Sequence, residues 1–226
     1  MNQFFTPYRD YPIAFIAELI TLLPLIIGLF RINFLKRDSQ FVLILFVCFF
    51  LRDTSSNALA AVKENNLFIY NIFSFLEIIF LALIFYYNTK IHSNLYRRII
   101  FWGALVCLLT SIVLYNKDDF SVGDFTIVRL YGIVLTVTFF ERVLSEVVVK
   151  DILTYSMFWV SSGFLLYFCG TFFIFLLSDK VLSRNTAPST FQLYWDTNLI
   201  FYIVFCLLSS VGIWMSKYDH SIAKEI

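Results

Sequence analysis

The sequence predicts an all-α, polytopic membrane protein: a bundle of seven transmembrane helices, N-terminus outside and C-terminus cytoplasmic. Three observations predict it. The 226 residues are 60% hydrophobic and only 15% charged, with mean hydropathy +0.79, which is more apolar surface than a soluble domain of this length can hide. The apolar residues gather into seven stretches, each near the roughly 20 residues that cross a bilayer. The connections between stretches are short. The whole chain, 1–226, therefore reads as one seven-helix transmembrane domain in contact with a lipid bilayer.

The first stretch, 11–31, follows Arg9-Asp10 and lacks an Ala-x-Ala cleavage site, so it reads as a span and not a signal peptide. The second, 40–62, begins "QFVLILFVCFFL", passes through the polar "RDTSSN" and ends "ALAAV". Neither Gly nor Pro interrupts it, which suits one continuous helix. A half-span followed by a loop is the alternative. The third, 67–87, contains "IYNIFSFLEIIFLALIFYY", with Asn71 and Glu77 inside an otherwise apolar run. The remaining spans are 96–115, 121–144, 152–178 and 193–216. The longest connection, about 179–192, holds "SRNTAPST", with Pro188 as a breaker. No soluble catalytic or kinase domain is expected in these connections or in the short tail.

Lys and Arg set the orientation. Arg31, Lys36, Arg37, Lys90, Arg97, Arg98, Arg142, Lys150, Lys217 and Lys224 fall on one side. Arg9, Lys63, Lys117, Lys180 and Arg184 fall on the other. The richer side is cytoplasmic by this rule. Tyr86, Tyr87, Trp102, Tyr115, Tyr194, Trp195 and Trp214 lie near span ends, where interfacial aromatics sit.

Polar groups inside the spans then fall at matching depth. Glu18, Arg52, Asp53, Asn57, Asn71, Glu77, Arg129, Asp196 and Asn198 all lie between the middle and the outer end of their helices. A charged residue at a helix centre costs about 2.5–3.5 kcal/mol on insertion scales. Hydrophobic neighbours can offset one such residue, but they do not explain several helices carrying one at one depth. Mutual pairing does. Two arginines, Arg52 and Arg129, stand beside four carboxylates, Glu18, Asp53, Glu77 and Asp196. Asn71, Ser74 and Glu77 step by three residues and share one stripe of their helix. On span six, Trp159, Ser162 and Gly163 share a face, and Gly163 permits close approach of a neighbour. The candidate ligand-binding set is Glu18, Arg52, Asp53, Asn57, Asn71, Glu77, Arg129 and Trp159. The arginines suit an anionic group, the carboxylates suit an ammonium or the arginines themselves. A purely structural charge lock is the competing account.

Other chemistry is poorly served. The two histidines, His92 and His220, lie away from the cluster, and catalytic zinc needs three ligands. No lysine stands in mid-span seven to hold a retinal. The four cysteines are widely spaced in apolar runs and read as small hydrophobes. No metal or cofactor is expected, and the net charge of +1 gives no reason to expect nucleic acid. Three function classes stay open. One is a sensor or receptor-like module that binds a small polar ligand or lipid headgroup. The second is a small-solute transporter, such as a three-plus-one-plus-three sugar carrier. The third is a hydrolase using Glu77 and Asp53 as acid and base.

The segment "IYNIFSFLEIIFLALIFYY", with Asn71 and Glu77 and its aromatic end, resembles small seven-helix membrane proteins of Bacteroidetes-type bacteria. In topology the chain is also similar to the seven-helix sensory modules fused to bacterial histidine kinases. The resemblance implies a bacterial inner membrane and a sensory role. Without a fused output domain, it also implies a separate signalling partner.

Overall fold

The computed structural model describes residues 12–62, 64–88, 94–115, 121–145, 151–177 and 188–222. Arg9, Lys63, Lys90, Lys117, Lys150, Lys180, Arg184 and Lys224, used above for orientation, lie outside the described residues, as does His92. Among those described, all regular structure is helical.

Among the described residues seven α-helices carry the fold: α1 (Pro12–Arg31), α2 (Arg37–Ala61), α3 (Leu67–Tyr86), α4 (Asn94–Leu114), α5 (Val122–Ser145), α6 (Ser156–Leu176) and α7 (Pro188–Ile222). Six are long and apolar enough to cross a membrane. The exception, α5, carries Asp124, Arg129, Glu141 and Arg142. Each apolar stretch became a helix because a span must satisfy its backbone groups internally. The second is one continuous helix through "RDTSSN". The sixth starts later than its apolar run. Asp151 accepts the Leu153 amide at 3.0 Å and holds Ile152–Thr154 as a separate 3-10 turn. The seventh exceeds its apolar run at both ends, beginning at Pro188, a favoured first helical position. Its 35 residues span about 50 Å, longer than the hydrocarbon core.

The helices form a ring in the order α1, α2, α3, α5, α6, α7, closed by α7 against α1. Helix α4 stands outside it, packed on α3 and α5. Its outer side chains meet lipid, Val113 being 81% exposed. Inside the ring is an aromatic plug. Phe205 lies 5.1 Å from Phe46, 4.6 Å from Phe164 and 5.5 Å from Tyr167, centroid to centroid. Phe46, Phe164, Phe168 and Phe205 are fully buried. At one end of the bundle the α1–α2 turn grips α7. Lys36 bridges Asp219 at 3.0 Å, and the Arg31 guanidinium lies 4.0 Å over the Trp214 ring.

The tightest seam is α6 against α7. A Cβ on Gly212 would lie 2.7 Å from the Ser156 carbonyl oxygen and 2.7 Å from Val160 Cγ2. Ser156 Oγ donates to the Gly212 carbonyl at 2.8 Å. Backbone cannot retreat as a flexible side chain can, so Gly212→Ala should cost about 1–3 kcal/mol. Thermal unfolding in mild detergent reads this as a lowered midpoint beside an unchanged helical spectrum.

Candidate functional site

At the end of the bundle where α1 begins, all six ring helices surround a cavity of about 250 Å³. Helix α1 contributes Ala14, Ala17 and Glu18; α2 contributes Arg52, Asp53, Ser56, Asn57 and Ala60. Asn66 and Tyr70 come from the start of α3, Phe125 and Arg129 from α5, Tyr167 and Phe175 from α6. Helix α7 adds Gln192, Trp195, Asn198, Leu199 and Tyr202. Helix α4 contributes nothing to this wall. At the deep end Tyr167 and Tyr202 pack on Phe205, so the plug forms the floor.

Both arginines reach the cavity, and both are paired. Arg52 Nε donates to Asp53 Oδ1 at 2.8 Å. Its guanidinium also lies 4.8 Å over Phe49 and 5.4 Å over Tyr70. Arg129 Nη1 donates to Glu77 Oε1 at 2.6 Å, with both side chains at most 2% exposed. Arg129 Nη2 donates to the Tyr167 hydroxyl at 2.9 Å, and the guanidinium faces the Tyr167 ring at 4.6 Å. Its Nε is buried without a hydrogen-bond partner. Charge-assisted bonds of this length are the strong ones, and they weigh more where water is excluded.

Glu18 differs from Asp53 and Glu77, the two carboxylates paired with arginine. Its two oxygens accept from Thr54 Oγ1 at 3.0 Å and Asn57 Nδ2 at 2.9 Å, both neutral. These bonds tie α1 to α2 across the wall. Asn66 Nδ2 donates to Ser56 Oγ at 2.8 Å and fixes the α2–α3 turn over the same space. Thr21 Oγ1 donates to the Ala17 carbonyl at 2.9 Å. Its one proton is thus committed, so the Tyr202 hydroxyl, 2.9 Å away, is the donor to Thr21.

The polar stripe of α3 turns mostly away from the cavity. Helices α3 and α5 run parallel, and the stripe meets α5 rung by rung. Asn71 Oδ1 accepts from the Ser121 amide at 3.2 Å, Ser74 Oγ bonds Asp124 Oδ2, and Glu77 takes Arg129. Asp124 Oδ1 also accepts from Ser111 of α4, so one buried carboxylate joins three helices. Asn71 and Glu77 therefore stand behind the wall, and α3 presents Tyr70 instead.

Of the expected set, Glu18, Arg52, Asp53, Asn57 and Arg129 line the cavity, with Glu77 directly bonded to Arg129. Trp159 does not belong. It lies in the first turn of α6, at the opposite end, where its indole donates to the Leu153 carbonyl at 2.8 Å. The face shared with Ser162 and Gly163 is real, but it serves packing: a Cβ on Gly163 would stand 3.2 Å from the Phe205 carbonyl. Asp196 also stays out of the wall, accepting from Gln192 at 2.8 Å, whereas Asn198 lines it. Trp195, expected at the interface, lines the cavity and sets its edge against Tyr70 at 6.3 Å. Asp124, Tyr70, Tyr167 and Tyr202 were not singled out from the sequence. Asp124 had a signal, since it follows the start of span five and matches Ser74 in depth. The tyrosines, three among 13, had none.

No protein-family model, curated protein or solved structure matches the chain.

The pair at the wall yields a thermodynamic test. Glu77→Ala leaves a buried guanidinium without its counter-charge and should lower stability by about 3–5 kcal/mol. Glu77→Leu combined with Arg129→Met removes both charges and should recover most of that loss. With the single variants Glu77→Leu and Arg129→Met beside that double, a double-mutant cycle on unfolding midpoints reads the coupling; additive losses would mean that the two groups act separately.

Proposed function

We propose that this chain is a receptor-like membrane module. It binds a small polar ligand or a lipid headgroup in an outward-facing intramembrane cavity and acts through a separate partner protein. The observation that carries the reading is the cavity itself, about 250 Å³ between six helices, with both buried arginines in its wall. Charged groups inside a membrane bundle by default face a functional space. Buried ion pairs stabilise a fold no better than well-packed hydrophobic residues of similar volume, so a stability role alone is a weak reason to build them here. A concave, mostly apolar wall with a few convergent donors and acceptors suits a small ligand.

The orientation belongs to the same proposal. The excess of Lys and Arg at the other end of the bundle supports an outside N-terminus and a cytoplasmic C-terminus. The cavity then faces outward, in what we take to be a bacterial inner membrane. The aromatic floor of Tyr167, Tyr202 and Phe205 favours a binding cup over an open path.

Native mass spectrometry on protein extracted in mild detergent tests this directly. A retained small molecule or lipid at one copy per chain is expected, and it should be lost in Arg52→Gln while the helical spectrum stays. Chemical cross-linking in membranes should capture a second protein at the cytoplasmic end. Solute counterflow in proteoliposomes would instead replace the receptor reading with transport.

A further inference from the structure

We propose that the ligand carries a protonated amine, seated on Glu18 at the α1–α2 side of the cavity. The inference rests on the pocket reading above and adds the charge of what fills it. Around the cavity, two guanidinium groups, Arg52 and Arg129, meet three carboxylates, Glu18, Asp53 and Glu77. Each arginine already holds one carboxylate at 2.8 Å or less. Of the two carboxylates that line the cavity itself, Asp53 and Glu18, Glu18 is the one that no arginine holds. Among the described residues Thr54 and Asn57 are its partners, and neither brings positive charge. In a partly dehydrated site a carboxylate without a counter-charge is costly, and a bound cation relieves that cost.

A second observation points the same way. Asn198 Oδ1, on α7 beside α1, is a buried acceptor with no hydrogen-bond partner among the described residues. A primary ammonium supplies N–H donors to both kinds of oxygen. The neighbouring walls are aromatic, with Tyr70, Trp195 and Tyr202 around the same space. Their ring faces attract a cation and still pack against its carbon chain. An anion meets a poorer fit: each arginine already holds a carboxylate, the open guanidinium donor Arg129 Nε is buried, and Glu18 repels it. The arrangement fits a free amine, and equally the ethanolamine head of a lipid.

Three probes of one chain length separate the charge: n-butylammonium, n-butanol and butyrate, titrated against the full chain in mild detergent at constant ionic strength. Butylammonium should bind at least about tenfold tighter than butanol, and butyrate weakest. Glu18→Gln should erase the preference for butylammonium over butanol, whereas Trp159→Phe, at the far end of the bundle, should leave it intact. If Glu18→Gln does not fold, the three probes on the unaltered chain decide. Glycerophosphoethanolamine against lysophosphatidylethanolamine then assigns the source, because a lipid site prefers the acylated form. Butanol equal to butylammonium, or butyrate binding through Arg52, overturns the amine and leaves the pocket standing. Binding of none of the probes, with no retained molecule, overturns both.

Discussion

The contact between Glu77 and Arg129 organises the bundle. Both side chains are at most 2% exposed, and they meet at 2.6 Å. Neither charge can be left alone in this surrounding, so α3 and α5 must lie side by side in one register. The Asn71–Ser121 and Ser74–Asp124 contacts repeat that register toward the cavity end. The consequence is topological. Helix α4 joins α3 to α5 in sequence, yet α3 and α5 touch directly, which leaves α4 outside the ring. Arg129 also reaches the Tyr167 hydroxyl of α6, which extends the polar join to a third ring helix.

Polar and apolar layers divide the interior by depth. The aromatic plug centred on Phe205 fills the middle with rings packed edge and face. Toward one end the side chains become ionic, and the packing opens into the cavity. Toward the other, Lys36 and Asp219 close the α1–α2 turn on α7, and Tyr155 donates to Asn88 at 2.8 Å. A hydrophobic filling at the cavity end would collapse onto the plug. Fixed charges held by their own partners keep that space from closing, and they give its wall a definite electrostatic pattern.

Several residues were legible from spacing and depth. Asn71, Ser74 and Glu77 lie on one face as their three-residue steps require, and all three meet α5. Arg52 and Asp53 pair with each other, and Glu18 reaches Asn57 at their common depth. Trp159 was misplaced by attention to its face and neglect of its depth. It stands only three residues after the first residue of α6 and cannot reach the other end of the bundle. Asp124 was overlooked because it lies so near the start of its span that it resembles a surface residue. The structure buries it among Ser74, Ser111 and α5 itself.

By itself the sequence determined the class of the protein, its helices and the depth of each polar group. Each follows from quantities local to the chain: apolar run length, the need to satisfy backbone bonds in lipid, and a rise of about 1.5 Å per residue. Only the tertiary structure decided which way each polar group points and whom it meets. The spans are apolar on nearly every side, so their patterns mark no single inward face. Azimuth was therefore settled by packing between helices. That packing sent Glu77 to Arg129, moved α4 out of the ring, and left Glu18 facing the cavity without a counter-charge among the described residues.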